Sequence, residues 1–263
     1  MTGTHRALPR PPRLRRRLLR HRGRLRLRRT GTGIPHGLTG ASSARVSSVG
    51  AVNYDHVLVP SLAASTVDEV EDYLAGQQGV PQTGVVAEMA DVLNARNAEL
   101  PAEDTFLGTE SVGGAATGAA LYVSSPYDAI GFVRALLFEI ATPRDYAVYD
   151  PQLAWLIDPA GRVDVAVSHG GAGEFPYLTE AMINQWIPAL AAPNPYVIVE
   201  QAEQVYIQTY REPSGVYTLE YRDGGPDRHF GATVEDPRQV ARVIWAWTVG
   251  DPVPDLGWKK IDF

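Results

Sequence analysis

Apolar positions fall in many short runs along this chain, and the spacing within each run predicts the element. The first run, Tyr54-Asp55-His56-Val57-Leu58-Val59, is dense enough to read as a buried strand ended by Pro60. Thr66, with Glu69 three positions on, forms a capping box that opens a short acidic helix over 67–75. Helical spacing of Val85, Met89, Val92 and Leu93 predicts a second helix over 84–97. Residues 98–117 read as loop and end in small residues (113–118), with a strand at 119–124. Ser125-Pro126 reads as a helix entry, a serine cap with proline in the first turn. Ile130, Val133, Leu137 and Ile140 then mark a helix that stops by Pro143. Two short strands, 146–149 and 153–157, are separated by Asp150-Pro151 and closed by a turn at 158–161.

Past this point the pattern changes. A strand at 163–167 meets the glycine cluster 170–173, and a helix over 178–190 is broken near Pro188. Four runs rich in Tyr, Val, Ile and Thr follow at 196–200, 204–210, 216–222 and 229–234, with turns at Pro213-Ser214-Gly215 and Asp223-Gly224-Gly225-Pro226. They predict an antiparallel meander. Asp236-Pro237 caps a last helix with Val240, Val243, Ile244 and Trp247 on its buried stripe, and Trp258 falls in a short final strand. Trp245, Trp247 and Trp258 are expected to close the core of the meander.

The fold class read from this is α+β: an antiparallel β-meander with packed helices, preceded by a smaller α/β half. Residues 51–160 form the N-terminal half, 161–195 a connecting segment with a helix, and 196–263 the meander plus helix. Residues 1–50 form an arginine-rich arm expected to be disordered.

Charge sharpens the picture. Thirteen of the 24 basic residues are arginines at or before Arg45, while all 30 acidic residues lie at or beyond Asp55. From residue 46 onward, 11 basic residues therefore stand against 30 acidic ones, a formal charge of −19. Such a body repels phosphate backbones and attracts cations. The arm is no secretory signal, because arginine interrupts every apolar stretch. It reads as translated 5′ sequence ahead of a start near Val49 or Val52, as a disordered tail, or as a basic arm for nucleic acid.

With no cysteine, disulfides, thiolate nucleophiles and thiolate zinc sites are excluded, and a reducing cytoplasm is the expected compartment. No apolar run reaches the ~20 residues of a membrane span.

Candidate chemistry is sparse. Ser168-His169-Gly170-Gly171-Ala172-Gly173 is similar to the His-Gly-Gly oxyanion loops of some esterases, but those enzymes need a Gly-x-Ser-x-Gly elbow that the chain lacks. No Gly-Lys-Ser/Thr marks a phosphate loop, so both glycine clusters read as flexible loops. His56, His169 and His229 show no ligand spacing, and no metal or other cofactor is expected.

The one concentrated polar constellation lies in the meander: Glu220, Arg222, Asp227, Arg228 and His229, with Tyr206, Gln208 and Tyr217 nearby. Alternation puts Glu220 and Arg222 on one sheet face. These eight residues are the candidate partner-binding set, since tyrosine and arginine are favoured at interfaces. The bland alternative is cross-strand charge pairing beside a turn.

The runs Tyr196-Val197-Ile198-Val199-Glu200, Tyr206-Ile207-Gln208-Thr209, Leu219-Glu220-Tyr221-Arg222-Asp223-Gly224-Gly225 and Asp227-Arg228-His229-Phe230, followed by a Trp-containing helix, resemble a set of small actinobacterial proteins similar to immunity proteins of polymorphic toxin systems. The resemblance covers residues 195–263 and implies binding and masking of a toxin rather than catalysis. The expected function is an acidic protein-binding module for a basic partner. The alternatives are an enzyme with a dispersed site at His229, Asp227 and Glu220, and nucleic-acid contact through the arm.

Overall fold

The computed structural model describes residues 53–261; the arginine-rich arm and its expected disorder lie outside the described residues. Four strands form a first sheet in the order β2-β1-β3-β4: β1 (Asn53–Pro60), β2 (Leu121–Pro126), β3 (Tyr146–Asp150) and β4 (Trp155–Ile157). Every pairing is antiparallel, so this half is α+β like the rest.

β1 is buried without a break from His56 to Val59 because both its faces are covered. Val57 and Val59 pack with Ala147 and Tyr149 under Val70 and Leu74 of α1 (Val67–Gln77). Leu58 faces the other way, into the core with α2 (Gly84–Ala98) and α3 (Ile130–Ala141). The capping box at α1 forms one residue out of step. Thr66 Oγ1 accepts from Glu69 N at 3.3 Å, but Glu69 Oε2 accepts from Ser65 N at 2.7 Å.

Two local expectations change. The buried stripe of α2 is Val86, Met89, Ala90 and Leu93, which leaves Val85 on the outside. Ser125-Pro126 does not start a helix. The pair ends β2, with Pro126 opposite Asn53 and the Ser125 hydroxyl donating to Tyr54 O at 3.3 Å. β2 is an edge strand, where a proline lacking its N–H does no harm, so strand pairing wins over capping. A 3-10 turn (Tyr127–Ala129) intervenes before α3.

The connection between α2 and β2 is mostly irregular yet pinned by amide side chains. Asn94 makes a reciprocal pair with Val112, donating to its O at 3.0 Å and accepting from its N at 2.9 Å. Asn97 Oδ1 accepts from Phe106 N and Leu107 N, Gln82 Oε1 from Gly114 N, and Gln77 Oε1 from Ala119 N. Backbone polar groups that no ladder satisfies find partners here.

The second sheet has seven antiparallel strands in the order β11-β10-β9-β8-β7-β5-β6. They are β5 (Ala166–His169), β6 (Gly173–Phe175), β7 (Tyr196–Ala202), β8 (Val205–Arg211), β9 (Tyr217–Asp223), β10 (His229–Val234) and β11 (Lys259–Lys260). The meander is thus larger than the sequence suggested, because the 161–195 segment adds β5 and β6 to it. The glycine cluster 170–173 is their hairpin turn, not a flexible loop. At Gly170 a Cβ would lie 2.1 Å from Asn194 O, so only glycine fits there.

α4 (Glu180–Ala189) and α5 (Pro237–Val249) pack against each other and against one face of this sheet. Val197, Val199, Ile207, Leu219, Val240, Val243 and Ile244 meet there, in the same apolar cluster that holds Leu58, Val148 and Trp155 of the first sheet. Trp258 stands just before β11, edge-on to Tyr221 at 4.8 Å, while Trp245 and Trp247 lie half-buried against the core. No helix among the described residues is long and apolar enough to cross a membrane.

Candidate functional site

Strand alternation sorts the meander into two faces. The inner face carries Val197, Val199, Ile207, Thr209, Leu219 and Tyr217, all buried. The outer face carries Tyr196, Ile198 and Glu200 on β7, Tyr206, Gln208 and Tyr210 on β8, and Thr218, Glu220 and Arg222 on β9. Cross-strand register sets Tyr196 opposite Tyr210, Ile198 opposite Gln208, and Tyr206 opposite both Glu200 and Arg222. A shallow groove of 220 Å³ runs between Tyr196, Ile198, Gln208, Tyr210, Thr218 and Glu220. Its rims are two tyrosine rings, one of them (Tyr210) 42% exposed.

Five of the eight candidate residues converge on this face: Tyr206, Gln208, Glu220, Arg222 and His229. Gln208 Nε2 donates to Glu220 Oε2 at 2.9 Å, and His229 Nε2 lies 3.3 Å from the same oxygen. Tyr206 packs edge-on against the His229 ring at 6.1 Å. The Gly231–Ile261 approach covers this end, since a Cβ at Gly231 would meet Ile261 at 2.9 Å, and His229 is buried. Asp227 and Arg228 stand apart in the exposed 3-10 turn Pro226–Arg228, where Arg228 pairs with Asp223 at 2.9 Å.

Tyr217 falls on the inner face instead. It is 1% exposed and donates its hydroxyl to Ile187 O at 3.1 Å, so it anchors α4 rather than facing a partner. Sequence proximity drew it into the set; its odd position in β9, with Leu219 and Tyr221, places it inside. Tyr196 and Tyr210, which sequence reasoning left out of the set, stand on the outer face by the same alternation.

A second constellation, which the sequence analysis did not assemble, lies in the interior. Arg134 of α3 is buried and donates through Nη2 to Asp150 Oδ2 at 2.8 Å and through Nη1 to Ala172 O. The Tyr54 hydroxyl donates to both oxygens of Asp150, at 2.9 and 2.7 Å, and Leu153 N donates to Oδ1 at 3.1 Å. The guanidinium also lies 5.7 Å from the ring centre of Phe175. Asp150 thus has a countercharge and three hydrogen-bond donors, which is what a buried carboxylate requires.

Two histidines flank this pair. His56 is fully buried, 3.8 Å from Asp150 Oδ2, and neither ring nitrogen has a hydrogen-bond partner among the described residues. His169 accepts from Gly171 N at 3.1 Å and sits between Trp155 and Trp186, at 4.9 and 5.5 Å. Burial, then the Arg134 charge, pushes both pKa values down to about 4, with Asp150 opposing the shift at His56. Burial, followed by the Asp150 hydrogen bond, raises that of Tyr54. Both imidazoles are therefore neutral near pH 7. The sequence did carry a signal: His56, Arg134 and Asp150 each interrupt an apolar run on its buried face, and buried polar groups need one another.

Among the described residues no three histidine or carboxylate side chains group so as to hold a metal ion. The fold and its outer face define an antiparallel α+β protein of two sheets, the larger presenting a tyrosine-lined groove. The chain matches no protein-family model, no curated protein and no solved structure.

Proposed function

We propose that this protein is a binding module that engages a basic protein through the outer face of its seven-stranded sheet. The observation that carries this reading is the groove rimmed by Tyr196 and Tyr210, with Gln208 and Glu220 between them, on a body of formal charge −19. Tyrosines on a rigid sheet bury large area at small entropic cost, and a net-acidic body steers a cationic partner toward encounter. Gln208 and Glu220 hold each other in place, so the polar groups in the groove are pre-organised. Masking of a cationic toxin, as in immunity proteins, is the form of this activity that we favour.

The test is capture with the full-length tagged chain from lysate of the source organism, at low and high salt, alongside Tyr210→Ala and Gln208→Ala. One basic protein retained at low salt, weakened by salt and lost with Tyr210→Ala supports the proposal. A partner that binds the variants as well as the parent, or that ignores salt, overturns it.

A further inference from the structure

The first sheet offers a different site. On β1, Asp55 and Val57 share the face that α1 covers, with Asp55 opposite Ser124 and Val57 opposite both Tyr122 and Tyr149. Across that face α1 and its C-cap residue lay Glu71, Leu74, Ala75 and Gln78, a stripe at helical spacing. The third wall is the loop from Thr109 to Thr117, held by Asn94 and Gln82. The space enclosed is a cleft of 590 Å³, a size typical of small-molecule pockets.

Its lining has a definite polarity. The floor is apolar, made by Val57, Leu74 and Val112. Among the described residues Asp55 and Glu71 are the only charged side chains that line it. Glu71 is fixed, because the buried Tyr149 hydroxyl donates to its Oε1 at 2.5 Å. Burial, and then the hydrogen bond to Glu71, raises the Tyr149 pKa, so that hydroxyl remains a donor. At the mouth stands Tyr122, 40% exposed, an aromatic ring of the kind whose face attracts cations.

We infer that this cleft binds a small organic cation, an ammonium or guanidinium group on an apolar body. The apolar floor takes the body, Asp55 and Glu71 take the charge, and Tyr122 closes over it. An anion meets two carboxylates there. A divalent metal needs six or more oxygens for calcium, or a rigid octahedron for magnesium, and this floor is hydrocarbon. The site lies on the other sheet from the tyrosine groove and does not depend on the protein-binding reading.

Benzylamine, benzyl alcohol and benzoate are the probes, each titrated into the full-length protein and followed by amide chemical shifts. Benzylamine should saturate, moving the amides of Asp55, Glu71, Tyr122 and 109–117, while the neutral and anionic analogues bind about ten-fold more weakly or not at all. Asp55→Asn and Glu71→Gln should each weaken benzylamine by about ten-fold. Both side chains are exposed, so neither substitution threatens the fold. Benzyl alcohol binding as well as benzylamine, benzylamine binding unchanged in both variants, or no saturable benzylamine binding would each overturn the inference.

Discussion

Acid should unfold this protein through His56 and His169. Each imidazole is buried beside the Arg134 guanidinium and holds a pKa near 4 in place of 6.5. The unfolded chain therefore binds protons that the native state refuses between those two values. The stabilisation is present in full above pH 6.5, declines as pH falls through the window, and is gone below pH 4. A displacement from 6.5 to about 4 corresponds to about 3 kcal/mol for each histidine, a large share of the ~5–15 kcal/mol that holds a typical domain together. Because the chain also carries 30 acidic residues, the comparison must be between variants rather than absolute. Urea unfolding, followed by tryptophan fluorescence from pH 7.5 to 4.5, gives the slope of stability against pH for the parent and for His56→Phe. The variant's starting stability depends on how the ring repacks against Tyr54, 5.1 Å away, but its slope must be flatter by up to about 1.4 kcal/mol per pH unit. Identical slopes would refute the claim that His56 is held neutral by burial.

Three further outcomes follow from the same geometry. Asp150→Asn leaves the Arg134 guanidinium buried without a countercharge and should cost about 3–5 kcal/mol in urea melts. Tyr217→Phe removes the bond to Ile187 O and should cost about 1 kcal/mol without changing partner capture, whereas Tyr210→Ala should do the reverse. Asn94→Ala strips Val112 of both its bonds and should cost about 2 kcal/mol, with hydrogen-exchange protection lost first across 109–117.

Most elements were legible because hydrophobic spacing alone decides them. β1, β3, α1 and the four long meander strands lie where their periodicity placed them, and Asp236-Pro237 caps α5 as read. What failed did so for stated reasons. Ser125-Pro126 carries a good cap signature, yet pairing with β1 satisfied its backbone first. The first residues of α2 offered two valines, and only packing could choose Val86 over Val85. The glycine cluster looked flexible because the carbonyl of Asn194, which demands a residue without a Cβ at Gly170, is remote in sequence. The outer face of the meander was partly legible, since alternation sorts residues once the strands are known. The Tyr54–Asp150 bond spans 96 positions, and no local pattern encodes such a distance.

The interior polar centre also bears on how this chain could be divided. Tyr54, Arg134 and Asp150 come from the segment that builds the first sheet, while Ala172 and His169 come from the second, and Trp155 rests against Trp186 across the join. A cut between Ile157 and Ala166 would separate the sheets cleanly in topology. It would also strip the guanidinium of its carbonyl partner and lay two tryptophans open to water. Neither half is an exchangeable cassette. Moving one sheet onto another scaffold would mean rebuilding this junction residue by residue.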